Sequence, residues 1–160
     1  MTLHHLGCGA IAGLLLVVLA DAAPQSSALP ADEAWFTDRA EAVGIDFVHF
    51  NGMSGEFYMG EVLGPGAAMF DFDNDGDLDI YIVQGQMLGP DKTLDHAVLP
   101  PQAQPLTDRL YRNDLDVRAD GTRTLRFTDV TEESGLDVRS YGMGVAAGDV
   151  DNDGWVDLYR

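Results

Sequence analysis

The chain has 160 residues, 46% hydrophobic and 22% charged, a balance that suits one globular domain of ordinary size. Asp and Glu number 27 against 9 Lys and Arg, for a formal charge of −18. Such an excess repels nucleic-acid phosphates and anionic lipid, which excludes partners of those kinds, and it suits divalent cations.

The first element is an export pattern. Ile11 to Ala20 is an apolar run of about ten residues, short of the ~20 that span a bilayer. Small residues follow at Ala20, Ala22 and Ala23, and the chain then turns polar from Pro24 to Ser27. Residues 1–22 are therefore expected to be a signal peptide, cut after Ala20 or Ala22. The mature chain would lie outside the cytoplasm, extracellular or periplasmic, with no membrane contact after cleavage. Cys8, the only cysteine, precedes the apolar run and leaves with it, so no disulfide framework is available. Residues 23–34, rich in Ala, Pro and Ser, read as a disordered lead-in.

An internal repeat follows. Phe36-Thr37-Asp38 with Ala42-Val43-Gly44-Ile45 matches Phe127-Thr128-Asp129 with Glu133-Ser134-Gly135-Leu136. Gly64-Pro65-Gly66-Ala67-Ala68 through Asp71 matches Gly142-Met143-Gly144-Val145-Ala146 through Asp149. The first copy carries extra residues between Ile45 and Gly64. Self-similarity of this kind marks a repeat architecture. Residues 35–84 are the first repeat, 85–106 with four prolines a long surface loop, and 107–160 the second repeat.

The local signals predict strands. Ala67-Ala68-Met69-Phe70 enters an acidic stretch, and Leu78 to Val83 leaves it. Val145-Ala146-Ala147 and Val156 to Tyr159 repeat the arrangement. Leu110 to Asn113 and Thr124 to Phe127 are expected to pair as a hairpin across Asp120-Gly121. A helical turn from Glu132 stops at Gly135, and Asp38 and Asp129 are expected to cap turns. The matching strand of the second repeat ends sooner than that of the first, so the chain reads as a fragment of a longer protein.

The chemistry lies in the two acidic stretches, Asp71 to Asp79 and Asp149 to Asp157, which share Asp-x-Asp-Asn-Asp-Gly-x-x-Asp. A calcium ion takes six to eight oxygens at about 2.3–2.6 Å. Carboxylates at positions 1, 3 and 5 point inward when the chain curls, and Gly at position 6 permits the bend. A backbone carbonyl at position 7 and a carboxylate at position 9 complete the shell. The expected ligands are Asp71, Asp73, Asp75, the carbonyl of Asp77, and Asp79 in one loop. In the other they are Asp149, Asp151, Asp153, the carbonyl of Trp155, and Asp157. Two like charges ~4 Å apart repel by about 1 kcal/mol in water and about 4 kcal/mol at an effective dielectric of 20. Without a cation such a cluster opposes folding. The competing reading is a solvated acidic turn with Asx-type hydrogen bonds at Asn74 and Asn152, which two copies of one spacing disfavour. All-protein oxygen cages favour Ca²⁺ over Mg²⁺. An EF-hand is rejected: its twelfth position falls on Ile82 and Arg160, and the flanks are strand-like.

The Gly-x-Gly-x-Ala run leading into Asp-x-Asp-Asn-Asp-Gly-x-x-Asp-Leu/Ile-Tyr resembles the FG-GAP and VCBS-type repeats. These are similar to the blades of the integrin α-subunit propeller. Phe127 to Thr131, Gly135-Leu136, Tyr141 to Gly144 and Leu110 to Asn113 resemble more closely the cartilage acidic protein and ASPIC/UnbV group. The resemblance covers about residues 36–160. It implies an all-β fold, a partial β-propeller of about two blades, the second incomplete, with a calcium loop between strands in each. The family's propeller has seven blades, often followed by an ASPIC/UnbV domain.

The remaining candidates weigh little. Tyr81 and Trp155 follow the acidic loops and are expected in core or inter-blade packing. His49 and His96 have no metal-ligand spacing and read as surface or loop residues. No Gly-x-Ser-x-Gly, His-Glu-x-x-His or phosphate-loop motif occurs, and Ser54, Ser134 and Ser140 have no His nearby in sequence. The chain is therefore not expected to be an enzyme. The leading expectation is an exported, calcium-stabilised propeller segment, holding Ca²⁺ at two sites and presenting loops to a protein or glycan. Its other partner would be the rest of the propeller. The alternatives are the N-terminal part of a secreted enzyme whose catalytic domain lies beyond residue 160, and a truncated product without function.

Overall fold

Short runs of aromatic and β-branched residues bounded by Gly and Asp favour strands, because such side chains pack well on a pleated surface. A computed structural model describes residues 35–160, and it bears this out. Strands β1 (Ala67–Phe70) and β2 (Asp79–Ile82) form an antiparallel pair closed by the first acidic loop, with Phe70 opposite Asp79. Strand β3 (Arg109–Asn113) joins the far edge of β2, with Tyr81 opposite Leu110. Two small strands, β4 (Asp116–Val117) and β5 (Arg123–Thr124), pair with each other at the tip of the following hairpin. Strand β6 (Phe127–Asp129) then returns along β3 and completes a four-stranded sheet of order β1-β2-β3-β6. A second hairpin, β7 (Ala146–Gly148) and β8 (Asp157–Tyr159), encloses the second acidic loop. Helices are confined to short turns, including α1 (Met59–Val62) and α2 (Thr131–Ser134), so the described residues are all-β in character.

Burial alternates along β2, while β3 buries the neighbours Leu110 and Tyr111. Phe70, Tyr81, Val83, Leu110 and Val130 form the core, and Val145, Val156 and Leu158 of the second hairpin pack against it. Fully burying a side chain of this size stabilises by roughly 1.5–3 kcal/mol. The core tyrosines keep their hydroxyls satisfied: Tyr81 donates to Asp108 Oδ2 at 2.6 Å and Tyr111 to Asp46 Oδ1 at 2.8 Å. Burial, and then these carboxylates, push both phenols far above their usual range, so they serve as donors. Asp108 is itself fully buried. It also accepts from the Gln84 N–H at 2.7 Å and pairs with Arg160, linking β2, β3 and the end of β8.

The two hairpins meet at equivalent glycines. A Cβ on Gly66 would sit 2.6 Å from Gly144 Cα, so the backbones can approach only because Gly66 carries no side chain, whereas a Cβ on Gly144 would meet open space. Strand β1 thus lies beside β7.

Several expectations take a more definite form. The four-stranded sheet draws β1 and β2 from residues 35–84 and β3 and β6 from residues 107–160. Leu110 to Asn113 pairs with Phe127 to Asp129 rather than with 124–127, while Thr124 faces Asp116. The partner segment is shifted by three residues. The turn is closed by Gly121 N–H to Arg118 O and Arg118 N–H to Thr122 O. Helix α2 stops at Gly135, whose φ of 74° is the left-handed cap. Asp129 Oδ1 accepts from the Thr131 N–H, and Asp38 Oδ1 from the Ala40 N–H. Residues 85–106 hold a single 3-10 turn, Leu94–His96, and no strand. The expected leader (1–22) and lead-in (23–34) lie outside the described residues. Among the described residues no helix is long and apolar enough to cross a membrane.

Candidate metal centre

Each acidic stretch folds back on itself by the same local means. The fourth residue takes a left-handed conformation, φ 60° at Asn74 and 61° at Asn152, and so does the sixth, φ 94° at Gly76 and 90° at Gly154. Asn tolerates this region better than most residues and Gly adopts it freely. The first Asp then receives two backbone donors. Asp71 accepts from the N–H groups of Asp75 (3.1 Å) and Gly76 (2.9 Å), and Asp149 from those of Asp153 (3.1 Å) and Gly154 (3.0 Å). The fifth Asp accepts from the seventh N–H: Asp75 from Asp77, Asp153 from Trp155, both at 2.9 Å. The ninth Asp accepts from the second N–H: Asp79 from Phe72 at 2.6 Å, Asp157 from Val150 at 2.9 Å.

This curl gathers carboxylates. One oxygen each of Asp71, Asp73 and Asp79 lie within 4.8 Å of one another, and so do oxygens of Asp149, Asp151 and Asp153. Two oxygens on one calcium ion are at most about 5 Å apart. Both clusters therefore could hold a metal ion. The Asp75 carboxylate stands outside the first group, engaged with the Asp77 N–H, and Asp157 stands outside the second. Partial desolvation, with the negative charges of Asp75 and Asp79 adding, holds the Asp73 carboxyl above its usual value. That is the electrostatic cost expected of converging carboxylates.

The loops differ in their surroundings. Asp79 is fully buried, and its second oxygen, Oδ1, accepts from the Asn113 N–H on β3 at 2.7 Å. Asn113 Nδ2 donates to Leu78 O at 3.2 Å. Asn113 Oδ1 is buried with no hydrogen-bond donor, an orphaned acceptor beside the loop. Arg112 lies close enough to favour ionisation of Asp73, but its guanidinium is engaged with Asp114 at 2.8 Å. The second cluster is exposed at all three residues.

One minor candidate needs correction. Trp155 is 55% exposed instead of packed, because it sits on the loop two residues ahead of β8, whereas Tyr81 lies inside the core. His49 lies in a loop, as expected, and is half-buried; both ring nitrogens are inaccessible, and burial lowers its pKa against a smaller opposing effect of Gln84. His96 is exposed, and its Nδ1 meets the Thr93 N–H at 3.2 Å across the 3-10 turn. Ser54 donates to Glu61 Oε1 at 2.5 Å, Ser134 to Thr131 O at 2.9 Å, and Ser140 accepts from Arg160 at 2.5 Å.

Sequence reasoning missed Asn113 and the left-handed asparagines. The Asn at position 4 was a usable signal, since Asn is the non-glycine residue enriched at positive φ. Asn113 carried a weaker one: a polar residue at the end of a strand, whose partner lies far off in sequence. No protein-family model, no curated protein and no solved structure matches the chain.

Proposed function

We propose that the chain is an exported, calcium-binding segment of a β-propeller of the FG-GAP/VCBS type, with a structural metal in each acidic loop. Its role is binding, not catalysis: loops held by the metal sites are offered to a protein or glycan outside the cytoplasm. One observation carries the reading. Both loops bridge neighbouring antiparallel strands and bring three carboxylate oxygens within one coordination sphere. The meander order β1-β2-β3-β6, with β1 beside β7, supports the propeller reading, since blades are four-stranded meanders whose first strands neighbour one another.

Asp71, Asp73 and Asp79, with Asp75 and the Asp77 carbonyl, would hold the first ion. Asp149, Asp151 and Asp153, with the Trp155 carbonyl and Asp157, would hold the second. A bound calcium would supply two positive charges that offset the carboxylates. The chain's own part is to present them: Asn74 and Gly76 reverse the backbone, and their counterparts Asn152 and Gly154 do the same.

The test is calorimetric titration of CaCl₂ into chelator-treated protein, with melting curves alongside. Affinity of ~10⁻⁴–10⁻³ M is expected, as in extracellular modules. At a hundredfold excess over Kd, stability should rise by about 2.7 kcal/mol per site. Absence of both heat and a melting shift at millimolar calcium would sink the reading.

A further inference from the structure

We infer that His49 is an acid-operated latch: its protonation takes the side-chain oxygen of Gln84 from the Phe50 N–H and frees residues 48–52 from the backbone that follows β2. The inference is independent of the calcium reading, because Gln84 lies beyond Ile82, at the end of β2 away from the acidic loop. Residues 48–52 lie against residues 84–86 with no room to spare. A Cβ on Gly85 would sit 2.2 Å from Phe50 O, and one on Gly52 would sit 2.0 Å from Gln86 O. Gln84 clasps the segment. Its Nε2 donates to Val48 O at 3.1 Å, and its Oε1 accepts from the N–H groups of Phe50 at 2.8 Å and Gly85 at 3.1 Å.

His49 stands in the chain between these two clasped residues. Both of its ring nitrogens are inaccessible, so neither water nor any further partner reaches them while the segment is docked. A neutral imidazole carries one N–H, whereas an imidazolium carries two and needs an acceptor for each. The Phe47 ring, stacked at 6.4 Å, offers none. Gln84 is the polar side chain that acts on the imidazole, and both lone pairs of its Oε1 are taken. An added proton therefore stays unsatisfied in a buried place or displaces the Phe50 N–H from Oε1, and either result loosens the segment. Burial accordingly holds the imidazole below its ordinary 6.5, against a smaller opposing effect of Gln84.

Among the described residues no charge offsets that proton. Asp46, on the same segment, accepts from the Tyr111 hydroxyl of β3. Behind Gln84, Asp108 accepts from the Gln84 N–H and the Tyr81 hydroxyl and pairs with Arg160. Glu61 is engaged by the Ser54 N–H and hydroxyl, and Tyr141 donates to Asn51 O. None of these groups contributes to the shift at His49. The folded chain therefore takes up this proton at a lower pH than the unfolded chain does. Docking of residues 48–52 is complete above about pH 6.5 and weakens as the pH falls from there through the lowered folded value.

Proton NMR and amide exchange on the full chain test this. The His49 C2–H resonance should titrate with a midpoint below 6.5. As the pH falls, protection of the Phe50 amide should drop by up to about tenfold per pH unit, while amides paired between β2 and β3 keep theirs. His49→Gln takes up no proton and should hold Phe50 protection level from about pH 7 to about pH 5. His96→Gln should keep the fall, since His96 is exposed on its own turn. A midpoint at or above 6.5, protection that stays level in the unaltered chain, or a fall that survives His49→Gln overturns the inference. So does an equal fall at the β2–β3 amides, which marks global unfolding instead of release. Should His49→Gln fail to fold, the unaltered chain decides: loss of Phe50 protection must level off at the pH where the His49 resonance reaches its midpoint, and a fall that continues past it overturns the latch.

Discussion

The stretches Asp71 to Asp79 and Asp149 to Asp157 have nearly the same backbone and different surroundings. Their left-handed residues coincide within a few degrees, and their first, fifth and ninth carboxylates receive the same backbone donors. The ninth residue separates them: Asp79 is fully buried under β3, while Asp157 is exposed. Loop shape is thus a local property, and carboxylate placement depends on a distant strand. A short motif can write the first and not the second.

The sharpest way to break this comparison is at the ninth position. Asp79→Ala leaves the Phe72 and Asn113 N–H groups without an acceptor in a buried site. It should cost about 3 kcal/mol in metal-free protein, since both hydrogen bonds go to a charged acceptor. Asp157→Ala removes one exposed hydrogen bond and should cost about 1 kcal/mol or less. Urea unfolding in chelator measures both. Similar losses in the two variants would mean that β3 contributes nothing to the first loop.

The same contrast explains what could be read in the chain. Ala67 to Phe70, Asp79 to Ile82 and the turn ending at Gly135 were legible because their signals are local: short aromatic and β-branched runs bounded by Gly and Asp, and a glycine cap. The ten candidate ligands were legible as a set, but not which carboxylates converge. Asp75 and Asp157 stand outside the two groups, although their counterparts Asp153 and Asp79 accept the same backbone N–H groups and stand inside. The sheet that joins residues 79–82 to 109–113 was hidden, because a long prolyl segment separates them and no local pattern specifies pairing at that range. The burial of Asp108 was hidden for the same reason: its partners Tyr81, Gln84 and Arg160 are brought together only by the packing of the hairpins.

A second pair of substitutions sharpens the comparison from the other side. Asn74→Val and Asn152→Val force a β-branched residue into φ near 60°. Each should lose roughly 1–2 kcal/mol of stability in chelator, by nearly equal amounts, because the strain is local to each loop. Asn→Gly at either position should be close to neutral. Thermal melts of the four variants check this. An effect confined to one loop would contradict the view that the backbone reversal is the motif's own work.

The smallest expected effect concerns acid. Asp114 belongs to the surroundings of the first loop, where the Thr128 hydroxyl, and then the Arg112 guanidinium, hold its carboxyl below the ordinary value of 3.8. The folded chain therefore takes up this proton at a lower pH than the unfolded chain does. Its contribution to stability is complete above about pH 4 to 5 and is lost as the pH falls through the depressed folded value. Asp114→Asn should make the stability of metal-free protein fall less steeply below pH 4, with little change in slope at pH 7. The group is partly exposed, so solvent screening keeps the effect modest. Stability measured against pH for the two proteins decides the matter. Superimposable acid limbs would show that the Arg112–Asp114–Thr128 chain leaves the fold's acid response unchanged.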